Sequence, residues 1–171
     1  EARAHMHDAQ CIAGIAFSSG LLGIVHSMAH KTGAAFTGDH IIHGCANAMY
    51  LGKVIQFNAK DERAKSRYAF IAKDVLHLAG ETEDELVEAL VQKIRALNDA
   101  LDIPQGIKNY GQYGVKADES IIDYDEFEAK KADVAANAIL DACTGSNPRI
   151  PTQEEMEQLL ECVYTDTQVT F

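Results

Sequence analysis

A chain of 171 residues with 47% hydrophobic and 24% charged content has the makings of a folded core, and disorder is excluded on composition. A formal net charge of −11 excludes a nucleic-acid binder, which needs a basic patch to displace phosphate counterions. The cysteines Cys11, Cys45, Cys143 and Cys162 are widely spaced, form no CxxC pair and read as reduced thiols. No run reaches the roughly 18 apolar residues of a membrane span, and the N-terminus is neither basic nor shaped like a signal peptide, so a cytoplasmic location without a membrane partner is expected. The chain opens on Glu1 rather than Met, as a fragment or a processed product would.

Residues 2 to 18 combine high helix propensity with small or apolar positions such as Ala9, Ile12, Ala13 and Ala16, and predict a helix interrupted by Ser18, Ser19 and Gly20. Leu21 to His30 continues helically and is apolar almost all round, the pattern of a buried helix, with Gly33 as its stop. Thr37, Gly38 and Asp39 give a turn before a second mostly apolar helix from about Gly44 to Phe57. Glu62 to Leu76 reads as a helix. Thr82 and Glu85 form a capping box that opens another helix to about Leu101, with Leu86, Leu90, Ile94, Leu97 and Leu101 along one face.

Beyond Pro104, the glycines Gly106, Gly111 and Gly114 mark a stretch of loops with one short helix. Asp125 to Ala142 is helical, the run Cys143 to Arg149 is a loop, and the Thr152–Glu155 capping box opens a last helix to about Tyr164. No alternating strand run and no internal repeat is present. The class is all-α.

The histidines carry the chemistry. Of seven, four fall within 18 residues of one another: His26, His30, His40 and His43. His26 and His30, four apart, share one face of a helix, and His43 lies just past a turn from which it can fold back beside them. An isolated buried histidine usually just hydrogen-bonds to its neighbours. Several neutral imidazoles packed together are harder to satisfy, whereas a divalent metal takes their lone pairs directly. Ser27 and Met28 stand where the HExxH motif requires glutamate, which disfavours a zinc protease. Three histidines alone also fit a zinc hydrolase, so spacing does not choose the metal, although no suitable general-base carboxylate is found beside them.

The residues between the histidines are more specific. The runs Gly23-Ile24-Val25-His26-Ser27-Met28-Ala29-His30-Lys31-Thr32-Gly33, His43-Gly44-Cys45-Ala46-Asn47-Ala48 and Cys143-Thr144-Gly145-Ser146-Asn147-Pro148-Arg149 jointly resemble the iron-containing alcohol dehydrogenase family. Within it they look most like the alcohol dehydrogenase part of the bifunctional aldehyde-alcohol dehydrogenases. Asp102 to Pro104 with Ile107 extend the resemblance over nearly the whole chain.

This resemblance implies a bundle-like C-terminal helical domain of the dehydroquinate synthase-like fold, spanning residues 1–171, whose N-terminal nucleotide-binding partner domain is absent here. It implies Fe2+ held by one aspartate and three histidines, with Zn2+ as a possible substitute. His26 and His43 are the implied metal ligands in this chain, and the aspartate and remaining histidine precede it. His30 is implied to sit beside the metal and the nicotinamide of NAD(H), acting in proton transfer or positioning. Phe17 and Cys143 resemble substrate-pocket positions for a small aldehyde or alcohol; their plain alternatives are a core aromatic and an inert thiol.

One departure concerns the third histidine. The family has a proline directly before it and a shorter connection, whereas here Ile42 precedes His43 and Thr37 to Asp39 look inserted, which makes His40 a less favoured substitute ligand. The expected function is thus the helical half of an alcohol dehydrogenase, inactive in isolation and homo-oligomeric at full length. The alternative is a small helical metal-binding or oligomerisation module from a truncated gene.

Overall fold

The computed structural model describes residues 1–37 and 40–171; Gly38 and Asp39 of the expected turn lie outside them. Seven α-helices are found among the described residues, with no strand beyond an isolated bridge between Tyr110 and Lys116.

Helix α1, Ala2–Gly20, forms as its propensities predict but buries no residue. It runs through Ser18 and Ser19, since Ser18 Oγ bonds back to the Gly14 carbonyl at 2.7 Å and so costs the helix no hydrogen bond. The break comes later, where Leu21 and Gly23 both adopt positive φ (62° and 72°). The axis there turns by 106° into α2, Ile24–Thr32. A β-carbon at Gly23 would lie 2.8 Å from Asn147 Oδ1, so both the φ angle and the close approach require glycine. Among the described residues no single helix is long and apolar enough to cross a membrane.

Helix α2 is one-sided rather than buried all round. Ile24, Ser27, Met28, Ala29 and Thr32 face the core, while His26 is half-buried and His30 exposed on the opposite side. Gly33 ends it with right-handed φ/ψ, so the stop is not a left-handed glycine cap. Helix α3, His43–Asn58, starts one residue earlier than the sequence suggests and supplies the central buried helix, packing against α2, against α5 (Glu83–Ala100) and against α7 (Gln153–Thr165). Tyr50 on α3 is fully buried and lies 2.8 Å from the Thr32 hydroxyl, which itself donates to the Met28 carbonyl.

Helix α4, Glu62–Phe70, is capped by Asp61 and ends in a π turn over Ile71–Val75, so the helical run predicted to Leu76 changes winding in its last turn. The capping boxes at Thr82–Glu85 and Thr152–Glu155 both form. A secondary core of Ile55, Ala69, Ala72, Leu86, Val87, Leu90 and Val91 joins α3, α4 and α5. Leu97 and Leu101, expected on the apolar face of α5, are exposed, while Asn98 beside them is buried and donates to the Ala48 carbonyl of α3, so the covered face of the last turns is not the leucine stripe. Helix α6, Tyr124–Ile139, packs on α2 and α7 around the main core, which includes Ile24, Met28, Tyr50, Phe127, Leu159 and Leu160.

A candidate metal centre between two helices

The N-terminus of α2 has no side-chain cap of its own. Its first amides are met instead by a loop more than 100 residues away: Gly23 N donates to Ser146 Oγ at 3.2 Å and Ile24 N to Asn147 Oδ1 at 3.2 Å. Asn147 Nδ2 donates to Asn58 Oδ1 at 2.7 Å, and Asn58 Nδ2 returns a bond to Asn147 Oδ1 at 3.3 Å. Arg149 caps the end of α3 by donating to the Phe57 carbonyl at 3.1 Å, stacks 3.9 Å over the Phe57 ring and pairs with Glu155. Thr144 donates to the Ala138 carbonyl and lies 2.7 Å from Ser27 Oγ. The Cys143–Arg149 run is therefore a clasp that fixes α2 against α3, a role that ordinary turn chemistry did not reveal.

The start of α3 is fixed separately. Tyr110 OH accepts from Ile42 N at 2.8 Å and donates to the His40 carbonyl at 3.0 Å, holding the residues that lead into His43. Gly114, at φ 77°, lets the chain pass so close to α3 that a β-carbon would lie 2.6 Å from Cys45 Sγ. Upstream, Glu126 Oε1 accepts from both the amide and the hydroxyl of Thr37 (2.8 and 2.9 Å) and from Lys130 Nζ at 2.5 Å. Lys130 first, then Thr37, lower the Glu126 carboxyl to about 2.

These anchors bring three imidazoles together. The ring centres of His26 and His43 are 5.2 Å apart, those of His30 and His43 5.3 Å with near-parallel planes, and those of His26 and His30 5.9 Å. Two imidazoles binding one ion at about 2.0–2.1 Å per nitrogen have ring centres roughly 4.5–5.5 Å apart, a range that holds both the His26–His43 and the His30–His43 separations. Burial first, then the His43 and His30 rings, push the His26 imidazole below its ordinary value, leaving it neutral with a lone pair to give.

Asn47 Nδ2 donates to His43 Nε2 at 2.9 Å and to the His43 carbonyl at 3.0 Å, while its Oδ1 is buried without a partner among the described residues. A metal at His43 must therefore take Nδ1 or displace this amide. His40 is turned elsewhere, its Nδ1 lying 3.2 Å from the Gly33 carbonyl. The Phe17 ring stands 6.5 Å from that of His26, at the exposed end of α1.

A second group of donors, His30, Asp141 and Cys143, lies within 4.8 Å. Asp141 Oδ2 is 3.2 Å from His30 Nδ1 and 3.0 Å from Lys31 Nζ, and Oδ1 accepts from Cys143 N at 3.0 Å. An ammonium already on the carboxylate marks this as an ion-paired cluster rather than a cation site. Burial works to raise the Asp141 carboxyl, but the Cys143 amide, Lys31 and His30 outweigh it and hold the group well below the usual range. Burial and the adjacent Asp141 push the Cys143 thiol up, so it is not a ready nucleophile. Asp141 and Lys31 escaped the sequence reading; the only signal was that Asp141 stands two residues before the Cys143 loop.

The Fe-containing alcohol dehydrogenase family, C-terminal part, matches residues 1–164. The chain belongs to this family. It is 51% identical to an NADPH-dependent butanol dehydrogenase of Clostridium saccharobutylicum, over all of this chain and 40% of that protein. Its identity to the bifunctional aldehyde-alcohol dehydrogenase of Escherichia coli strain K12 is 36%, over 95% of this chain and 18% of the other. An iron-containing alcohol dehydrogenase structure from Thermococcus thioreducens superposes with a TM-score of 0.76 at 32% identity, covering 98% of this chain and 38% of that one. The resemblance thus runs to butanol dehydrogenases as well as to bifunctional members, and the chain spans well under half the length of each of these relatives.

Proposed function

We propose that this chain is the helical, metal-binding half of an iron-dependent alcohol dehydrogenase that interconverts primary alcohols and aldehydes by hydride transfer with a nicotinamide cofactor. The observation that carries this reading is the convergence of His26, His30 and His43 on one open face of α2 and α3 in a chain of this family. The names of the relatives, butanol and aldehyde-alcohol dehydrogenases, support a short aliphatic substrate.

His26 and His43 would hold iron(II), with zinc as a substitute, beside ligands from outside this chain. Iron bound there supplies Lewis acidity toward the substrate oxygen, and the nicotinamide supplies or accepts the hydride. His30, exposed and adjacent to both rings, holds and moves the proton at that oxygen. Phe17 and Cys143 wall the substrate end; the raised Cys143 thiol suits a small apolar surface.

The test is aldehyde-dependent oxidation of NADH and NADPH with iron(II), for this chain and for a form extended upstream to the length of its relatives. The extended form is expected to be active and this chain inactive, with half of the ligands elsewhere. An inactive extended form across a panel of short aldehydes would sink the reading. A second reading, a helical assembly module, draws on α1, which leaves Met6, Ile12 and Ile15 each 68% exposed. It predicts self-association of the chain without any activity in the extended form.

A further inference from the structure

We propose that Asp141 is the positioning residue of His30, locking its ring so that Nε2 is the nitrogen left to work at the site. This rests on the reading of His30 given above. His30 sits in the last turn of α2 with a side chain 37% exposed, and within its own helix the ring meets only that of His26, at 5.9 Å, with no hydrogen bond to fix it. Asp141, just past the end of α6, meets it from the other side at 3.2 Å with a side chain only 10% exposed.

The carboxylate is itself immobilised. Oδ1 is held by the Cys143 amide at 3.0 Å, which fixes the plane of the group, and Oδ2 is shared between His30 Nδ1 and Lys31 Nζ. Three donors thus engage the one carboxylate. A carboxylate accepts and does not donate, so the His30 nitrogen facing it must carry the proton. The ring is then the Nδ1–H tautomer, and its lone pair is on Nε2. Lys31 Nζ, 3.0 Å from the same Oδ2, balances the carboxylate charge.

The same logic operates wherever a carboxylate behind a histidine sets its tautomer and angle, and loss of such a partner typically costs 10- to 100-fold in function. Because Oδ1 also anchors Cys143, one side chain sets both the proton-handling ring and a wall of the substrate end.

The experiment has two arms. In the first, 15N-histidine NMR of this chain at neutral pH reads the His30 tautomer, with Asp141→Asn as the comparison. The Nδ1–H form is expected in the unaltered chain, with a shift toward Nε2–H in the variant, whose amide can donate to Nδ1. A His30 that is already Nε2–H, or that does not respond to the substitution, overturns the proposal whether or not any enzyme activity exists.

In the second arm, the upstream-extended, metal-loaded enzyme carries Asp141→Asn, His30→Ala and both together. Asp141→Asn is expected to lower kcat on the order of 10- to 100-fold with little change in KM, and to add nothing to the loss in His30→Ala. Asp141→Glu is expected to recover part of the rate. Losses that multiply in the double variant would show that Asp141 acts independently of His30 and would overturn the proposal. Inactivity of the unaltered extended enzyme instead counts against the alcohol dehydrogenase reading and leaves the NMR arm to decide.

Discussion

Helices α1 and α2 adjoin in sequence and could hardly be held more differently. Five of the nine residues of α2 are buried, and its two ends are tied to α3 and to the Cys143–Arg149 clasp, whereas none of the 19 residues of α1 is buried. The histidines therefore stand on a frame that this chain builds for itself, while Phe17 stands on a helix that this chain does nothing to fix. The difference separates the proposed site into a part with intrinsic geometry and a part whose placement depends on what else α1 meets.

The comparison is broken most directly at the clasp. Asn147→Ala removes the bond to Ile24 N and both bonds to Asn58, leaving buried amide groups unpaired at a cost of about 3 kcal/mol. In a chain of this size that lowers Tm by roughly 6–12 °C, measurable by calorimetry. Tyr110→Phe should cost less, about 1 kcal/mol in urea unfolding, since its bonds to Ile42 N and the His40 carbonyl lie at part-buried positions where water can replace them. It should also weaken metal binding through His43, read by titration of the chain with zinc or iron(II).

The Glu126 tether gives a smaller, pH-dependent effect. Its folded carboxyl is lowered to about 2, so its contribution is fully present above its ordinary unfolded value and fades as pH falls toward about 2. The stability gap between the unaltered chain and Glu126→Gln should accordingly close between about pH 5 and pH 2. A gap that does not change with pH would show that the carboxylate is not what holds Thr37. The least effect is expected in α1: Ile12→Ser and Ile15→Ser should change the stability of this chain by under about 0.5 kcal/mol, because neither side chain is buried. A larger loss would mean that α1 is packed in solution, and the contrast with α2 would fall.

What the sequence disclosed followed from how far apart the interacting residues lie. The capping boxes at Thr82–Glu85 and Thr152–Glu155 are complete within four residues and read directly. His26 and His30 share a face by helical spacing alone, and α1 is legible as a helix because propensity is local. Asp141 meets His30 across 111 residues, and Asn147 meets Ile24 across 123; no periodicity announces either pair. The apolar stripe of α5 was misjudged at Leu97 and Leu101 for a related reason, since periodicity shows which face is apolar and not that α3 would take Asn98 as its contact in the last turns. The stop expected at Ser18–Gly20 moved to Leu21 and Gly23 because Ser18 bonds to the helix it was expected to end.

The clasp also sets an order of events in synthesis. With 123 residues between Asn147 and Ile24, translation at 5–20 residues per second separates their appearance by roughly 6–25 s. Until Asn147 emerges, α2 lacks the acceptors that finish its first turn, and the histidine face has no fixed partner surface. A fixed arrangement of His26, His30 and His43 thus waits on residues more than 100 positions downstream, and a ribosome-bound chain arrested before residue 144 should present these histidines as a flexible segment rather than as a fixed cluster.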